Sequence, residues 1–438
     1  MRYLTCIFLV LLFSGKLSAQ QADSAYTLQQ CIDIAIKNNL DVHKSELQLA
    51  ADRIYWQQAR ENLLPGFSGD VSHTISNGRS QDPTNYTYVN QQITTAQYAL
   101  NASLTLFNGL NLQNSIKQYS LAYQAGKMDF QQAKDDISLA VITTYLQVLD
   151  SEDELEQVKS QLDVSVKQVD RLKILNQSGD ITPSQLYDLQ GQSANDKLNI
   201  INTQSAIYAA KLNLLQIMNV PFNKNIKLQR LNAGQLPGKY NTTADEVYNK
   251  ALNGLALVKA AGLREESARK EVSATKGLLF PSLSLSGGLL TNYSSGGNGS
   301  YNQQFRNNYS SYGSIGLHIP ILSGFRQKNA VALAKIDLQN ASYANQSTKI
   351  QLRQNIEQAY DNMTAAYQRY QVFREQVDAY TESFRTAEVR FNDGVLTSVD
   401  YLVAKGNLDR AKTGLISARY DYFIRTKILD YYQGHLSL

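Results

Sequence analysis

Tyr98, Leu100, Ala102, Leu104 and Leu106 alternate with Ala99, Asn101, Ser103 and Thr105, a period of two that predicts a strand with one oily face. At Phe107-Asn108-Gly109 the period changes. Residues 111–178 contain no Pro, and Val141, Tyr145, Val148, Leu155, Val158, Leu162, Val166 and Val169 recur in steps that mark a coiled-coil seam. A helix of about 70 residues, at about 1.5 Å each, is on the order of 100 Å long and cannot stand alone. Residues 101–109 are therefore expected to join a strand to a very long helix.

Upstream, Thr27 and Gln30 predict a capping box that opens a short helix, which Asn38-Asn39 ends or bends. A helical run over 41–62 stops at Leu64-Pro65-Gly66. A strand follows, with Phe67, Gly69, Val71, His73 and Ile75 on one face, and polar residues 77–92 read as the exposed tip of a hairpin. Downstream, the long helix breaks at Ser178-Gly179-Asp180. Pro183 suits the first turn of a returning helix that reaches Met218.

The same order then repeats at nearly fixed spacing. Pro65 and Pro281 stand 216 apart, while Tyr145 and Tyr360, Gly179 and Gly394, and Asn219 and Gly434 each stand 215 apart. Ile315, Leu317, Ile319 and Ile321 form the second oily face, Leu322-Ser323-Gly324 replaces Phe107-Asn108-Gly109, and a second seam runs from Leu352 through Ile356, Met363 and Tyr370 to Phe384. The predicted organisation is a signal peptide at 1–19, a first repeat over 20–218 with a hairpin at about 66–107, a connector over 219–241, and a second repeat over 242–438 with a hairpin at about 282–321. The fold class is mainly α, with long antiparallel coiled-coil helices and four membrane strands per chain.

Composition narrows this picture. Arg2, the apolar run 3–13 and Leu17-Ser18-Ala19 have the layout of a secretory signal. Cys6 lies inside that run, too early for a lipid-attachment cysteine, so Cys31 is left alone without a disulfide. Without Arg2 and Lys16 the formal charge falls from +4 to +2, which gives no basic surface for nucleic acid. No later stretch approaches the roughly 18 to 20 apolar residues of a membrane helix, so a membrane span would be made of strands. The 27 tyrosines suit interfacial rings or helix seams. His43, His73, His318 and His435 share no metal-ligand spacing, Ser286-Gly287-Gly288 and Ser295-Gly296-Gly297 lack the Lys of a phosphate loop, and no nucleophile elbow is present. Neither catalytic residues, metal nor cofactor is expected.

Four strands of about 10 residues cannot close a barrel, and an open edge in lipid costs several kcal/mol per unpaired group. Copies must pool their strands. Two are the minimum, and three give the twelve strands of a wider, water-filled tube. The other reading is a secreted or periplasmic coiled-coil scaffold or adhesin, with the hairpins as tips and no channel.

The order of helix, Leu-Pro strand, hairpin, Leu-Phe-Asn-Gly, long helix with Thr144-Tyr145 and Ala359-Tyr360, then Arg390 to Gly394, resembles the TolC family of outer-membrane efflux proteins over essentially the whole mature chain. The resemblance implies a homotrimer with a shared twelve-stranded barrel in outer-membrane lipid and an α-helical tunnel in the periplasm. It implies an exit duct for a tripartite efflux pump or type I secretion system, passive and energised through a periplasmic adaptor and an inner-membrane transporter. Asp400, six residues after Gly394, stands where the family's pore narrows to acidic rings; Val403 replaces a second acidic ring, and Gln185 is uncharged in the first repeat. The plainer reading of Asp400 is a helix-start aspartate that suits the dipole. The turns at Arg171 to Gly179 and Arg390 to Gly394 are where the resemblance places adaptor docking. Tight reversal alone accounts for their glycines. Phe107, Gly109, Leu322 and Gly324 are the expected strand-to-helix junctions.

Overall fold

The computed structural model describes residues 25–81, 86–230 and 238–434; the signal segment and His435 lie outside them. In the first half α1 (Leu28–Asn38), α2 (Leu40–Glu61), β1 (Gly66–Ser76), the short tip pair β2 (Arg79–Gln81) and β3 (Tyr88–Asn90), β4 (Ile93–Asn108), α3 (Asn111–Ser178) and α4 (Pro183–Ile217) follow one another. The second half supplies α5 (Ala244–Gly254), α6 (Ala256–Gly277), β5 (Ser282–Ser294), α7 (Tyr301–Asn307), β6 (Ser310–His318), α8 (Arg326–Asn392) and α9 (Ser398–Tyr432). The duplication is visible element by element: α1 and α5 have 11 residues each, α2 and α6 have 22, α3 and α8 have 68 and 67, and α4 and α9 have 35. Matching caps start the halves. Thr27 with Gln30 and Thr243 with Glu246 both close reciprocal capping boxes, and extended backbone at Asn39 and Leu255 separates each short helix from the next.

The sheet is antiparallel in the order β1-β4-β5-β6. Its register brings Val71, Tyr98 and Thr291 into one row, then Gly69, Leu100 and Leu289, then Leu104, Leu285 and Ile315, so the oily side chains of four strands share a face. Two expectations are corrected at its lower rim. A bulge between Thr105 and Phe107 makes Leu106 the extra residue, and Phe107 takes its place on the oily face opposite Leu283. The bend therefore starts at Gly109 rather than at Phe107. Strand β6 ends at His318 instead of Ile321, because Pro320 has no N–H for the ladder. Periodicity also missed α7, which folds back over the sheet with the Phe305 ring against Tyr98, while Thr291 donates to the Phe305 carbonyl.

The helices form one layer that continues the sheet. Near the strands the order is α2-α3-α6-α8; farther away it is α4-α3-α9-α8. Two apolar clusters hold the middle. The first joins α1, α3, α4 and α9 around Tyr145, whose hydroxyl lies 3.0 Å from the Tyr26 carbonyl and 2.7 Å from that of Gln229. The second joins α5, α8 and α9 through Val247, Leu255, Ile356, Met363 and Leu429. Cys31 is buried in the first, and burial pushes its thiol up to about 12. The α3 seam follows expectation at Val141, Tyr145, Val148, Val158 and Val169 and departs from it at Val166. Val166 is exposed, and Gln161, Ser165 and Gln168 are buried in its place because they bond to groups on α4, α9 and the end of α8.

One carboxylate in this middle zone opposes folding at neutral pH. Burial lifts Asp150 to about 6, with Glu154 and Asp153 adding to the rise and Arg419 opposing it. The folded chain holds this proton where the unfolded chain, at 3.8, has lost it, so stability falls as pH climbs between those values. Asp150→Asn should raise stability by about 2 kcal/mol at about pH 7.5 and by nothing below about pH 4, read from thermal unfolding by circular dichroism.

Candidate functional site

The face of the sheet opposite the oily one is polar and cross-linked. Asn101 Nδ2 donates to Asp70 at 2.9 Å, the Tyr312 hydroxyl donates to Asn101 Oδ1 at 3.3 Å, and the Ser286 and Ser314 hydroxyls are 2.7 Å apart. Gly288 makes room for this network, since a Cβ there would lie 2.7 Å from the Tyr312 ring. A sheet oily on one side and hydrogen-bonding on the other suits a wall between lipid and water.

Both junctions use the same backbone device. Gly109 and Leu110 have φ of 64° and 63°, and Gly324 and Phe325 have 59° and 60°, two successive left-handed residues that turn a strand into a helix. Asn108 Oδ1 then accepts from Leu112 N–H at 3.3 Å, and Asn111 Nδ2 donates to the Ala274 carbonyl at 2.7 Å. The first junction is packed backbone to backbone: a Cβ on Gly109 would stand 2.2 Å from the Gly277 oxygen. The second is open. Nothing lies within 4 Å of the same point on Gly324, and Leu322 is 80% exposed.

At the far end Gly179 and Gly394 are left-handed, with φ of 83° and 72°, and reverse the helix pairs as expected. Arg171 donates to the Asn392 carbonyl at 2.6 Å and Gln168 to the Asn392 side chain at 3.1 Å, so Arg171 ties one tip to the other. Arg390 offers its carbonyl to Val395 and Leu396 and forms no ion pair among the described residues. Asp400 is exposed in the first turn of α9, where Thr397 Oγ1 accepts from its N–H at 3.2 Å and donates to its carboxylate at 2.7 Å. Thr397 is thus the helix cap, and Asp400 is the first-turn acid that its hydroxyl engages. Exposed Val399 and Val403 flank it.

One cluster went unnoticed in the sequence. Lys405, 2% exposed, sits 3.3 Å from Asp196 and 2.6 Å from Asp409, and Asp196 also accepts from Ser165 at 2.5 Å and Gln192 at 2.7 Å. Burial holds the Asp409 carboxyl above its usual range against the pull of Lys405. The cluster bolts α3, α4 and α9 together one turn above Tyr401, which stacks on Phe391 at 4.6 Å. These residues share no fixed offset between the halves, so the duplication gives no signal for them.

The profile of the outer membrane efflux protein family matches residues 31–220 and 247–434. The chain belongs to that family. The efflux protein is 25% identical to outer membrane protein TolC of Escherichia coli over 97% of this chain and 85% of the relative. It is 21% identical to toxin and drug export protein A of Aggregatibacter actinomycetemcomitans, over 90% and 83%. The outer membrane protein VceC of Vibrio cholerae superposes with a TM-score of 0.80 at 17% identity, covering 94% of this chain and 97% of that one. Family membership puts the efflux protein in the outer membrane as an exit duct, in place of the coiled-coil scaffold.

The two kinds of left-handed glycine should separate by mutation. Gly179→Ala meets open space and should cost about 1 kcal/mol from backbone strain alone. Gly109→Ala adds the clash with Gly277 and should abolish folded protein in the membrane fraction, assayed by protease resistance.

Proposed function

We propose that three copies of this chain close into one tube, a shared twelve-stranded barrel continued by a helical tunnel, through which cargo leaves the periplasm. The observation that carries this reading is a match between the two raw edges of the chain. The sheet ends in β1 and β6, and the helical layer beside it ends in α2 and α8, which are the elements joined to those strands. Both edge helices carry exposed apolar residues seven apart: Leu40, Leu47 and Ile54 on α2, and Ile336, Tyr343 and Ile350 on α8. Such spacing lays one stripe along a helix for a partner helix. A head-to-tail contact between unlike edges makes a closed ring.

The duplication supplies the geometry of that contact. Inside the chain α3 packs antiparallel on α6, with Ser267 Oγ donating to the Gln118 carbonyl at 2.9 Å and Gly109 pressed on Gly277. Carried through the repeat offsets, α8 would pack on the next copy's α2 in the same way. Ala51 would then face Leu333, and the open Gly324 would receive its neighbour.

The duct itself performs no chemistry in this reading. Cargo and energy come from an inner-membrane transporter through a periplasmic adaptor that engages the tips around Arg171, Gly179, Arg390 and Gly394. The family assignment and the likeness to a toxin and drug export protein support a role within such an assembly. Three copies of Asp400 would form a carboxylate ring at the periplasmic mouth, favouring cations.

Two outcomes check this. Ala51→Cys combined with Leu333→Cys should give, on oxidation, a covalent ladder ending at three chains, whereas either substitution alone should give single chains. Asp400→Ala should reduce cation preference severalfold in planar-bilayer recordings, and unchanged selectivity would remove Asp400 from the pore.

A further inference from the structure

Just below the first strand, a hollow of about 580 Å³ opens between the end of α2 and the start of α3. Arg53, Trp56 and Arg60 line it on the α2 side, and Leu63, Leu64 and Ile116 complete its apolar part. Arg60 is five residues before Pro65, roughly 7 Å below the point where the chain becomes strand. The hollow is therefore at the depth where the oily face ends, the headgroup level of the periplasmic leaflet.

Its cations are held but not neutralised. The Arg60 guanidinium lies 5.3 Å from the Trp56 ring centroid, and that ring stacks on Tyr123 at 5.6 Å and 12°. Neither Arg53 nor Arg60 meets a carboxylate among the described residues. Glu61, the acid on the rim, accepts from Gln57 at 2.8 Å instead. Arg53 and Arg60, two turns apart, share a helix face, and arginine pairs with phosphate oxygens through its planar fork. Leu63 and Leu64 are 41% and 65% exposed at the mouth. A free anion has no use for those leucines, whereas the first carbons of an acyl chain would cover them.

The duplicated half carries the same pair in the same places. Arg53 and Arg60 stand 12 and 5 residues before Pro65; Arg269 and Lys276 stand 12 and 5 before Pro281. Lys276 likewise has no carboxylate partner among the described residues, while Arg269 leans on Glu265 at 3.4 Å. Helix-strand connection alone does not demand a cation at either position.

We propose that the hollow at Arg53, Trp56 and Arg60 binds the phosphate of an anionic phospholipid headgroup in the periplasmic leaflet, fixing the depth at which the barrel sits. Each arginine near such a surface contributes about a fivefold preference, so the pair favours an anionic over a zwitterionic lipid by about 25-fold.

Trp56 is the chain's sole tryptophan, so its fluorescence reports this site alone. The full protein is reconstituted in phosphatidylcholine vesicles doped with phosphatidylglycerol brominated on its acyl chains, or with equally brominated phosphatidylcholine. Brominated phosphatidylglycerol should quench Trp56 at about 25-fold lower mole fraction than brominated phosphatidylcholine. In Arg53→Gln/Arg60→Gln the two lipids should quench alike, and quenching by brominated phosphatidylcholine should match that of the parent protein, which certifies insertion. Lys197→Gln/Lys412→Gln, far down the helices, should retain the full preference. Equal quenching by both lipids in the parent protein would overturn the proposal, as would a preference that survives the arginine substitutions. Relief of quenching by millimolar inorganic phosphate would assign the site to the free anion and overturn the lipid as its source.

Discussion

A backbone N–H or C=O in hydrocarbon has no water to fall back on, and this requirement governs the rest of the molecule. The four strands satisfy one another internally but leave one edge of β1 and one of β6 bare. In water such edges would be an aggregation hazard; in lipid they are prohibitive. Only closure removes them. In the proposed trimer a chain with two unlike edges, each continued by a helix with an apolar stripe, would meet that requirement by joining its own copies. The same constraint explains why the oily rows are so exposed in the single chain, with Phe67 at 80% and Val71 at 72%.

Duplication turns a local solution into a wall. One hairpin followed by one helix pair is half of each edge, and two in tandem give the continuous run of strands and helices that a tube needs. The left-handed pair Gly109-Leu110 feeds β4 straight into its helix, and Gly324-Phe325 makes the same turn at the end of the short 319–325 connection, so strands and helices follow on directly. Farther down the helices change character. Apolar clusters give way to Gln161, Ser165, Asp196 and Lys405, groups that bond across α3, α4 and α9. Removing one partner from such a buried set leaves a charge uncompensated at a cost of about 3 to 5 kcal/mol, so this zone specifies one arrangement of the lower helices.

Much of this was legible because it is periodic or repeated. Alternation exposed the strands, the helical seam exposed α3 and α8, and the 215-residue echo matched Gly394 to Gly179. What escaped has no period. The Leu106 bulge depends on the pairing of β4 with β5, and α7 is about two turns whose position rests on Gln304 bonding both backbone groups of Ser294. The Lys405 cluster joins residues 209 and 240 positions apart with no counterpart in the other half. Asp400 was found by resemblance, and its geometry is that of a first-turn acid bonded to the Thr397 cap, so its carboxylate is engaged within its own turn.

The account stands on closure by copies of this one chain. The direct measurement is the mass of the detergent-solubilised mature protein, with bound detergent subtracted by light scattering or removed in native mass spectrometry. Closure of twelve strands requires a single species of three chain masses that persists on dilution. A stable species of one or two chains, active in bilayer conductance, would contradict it.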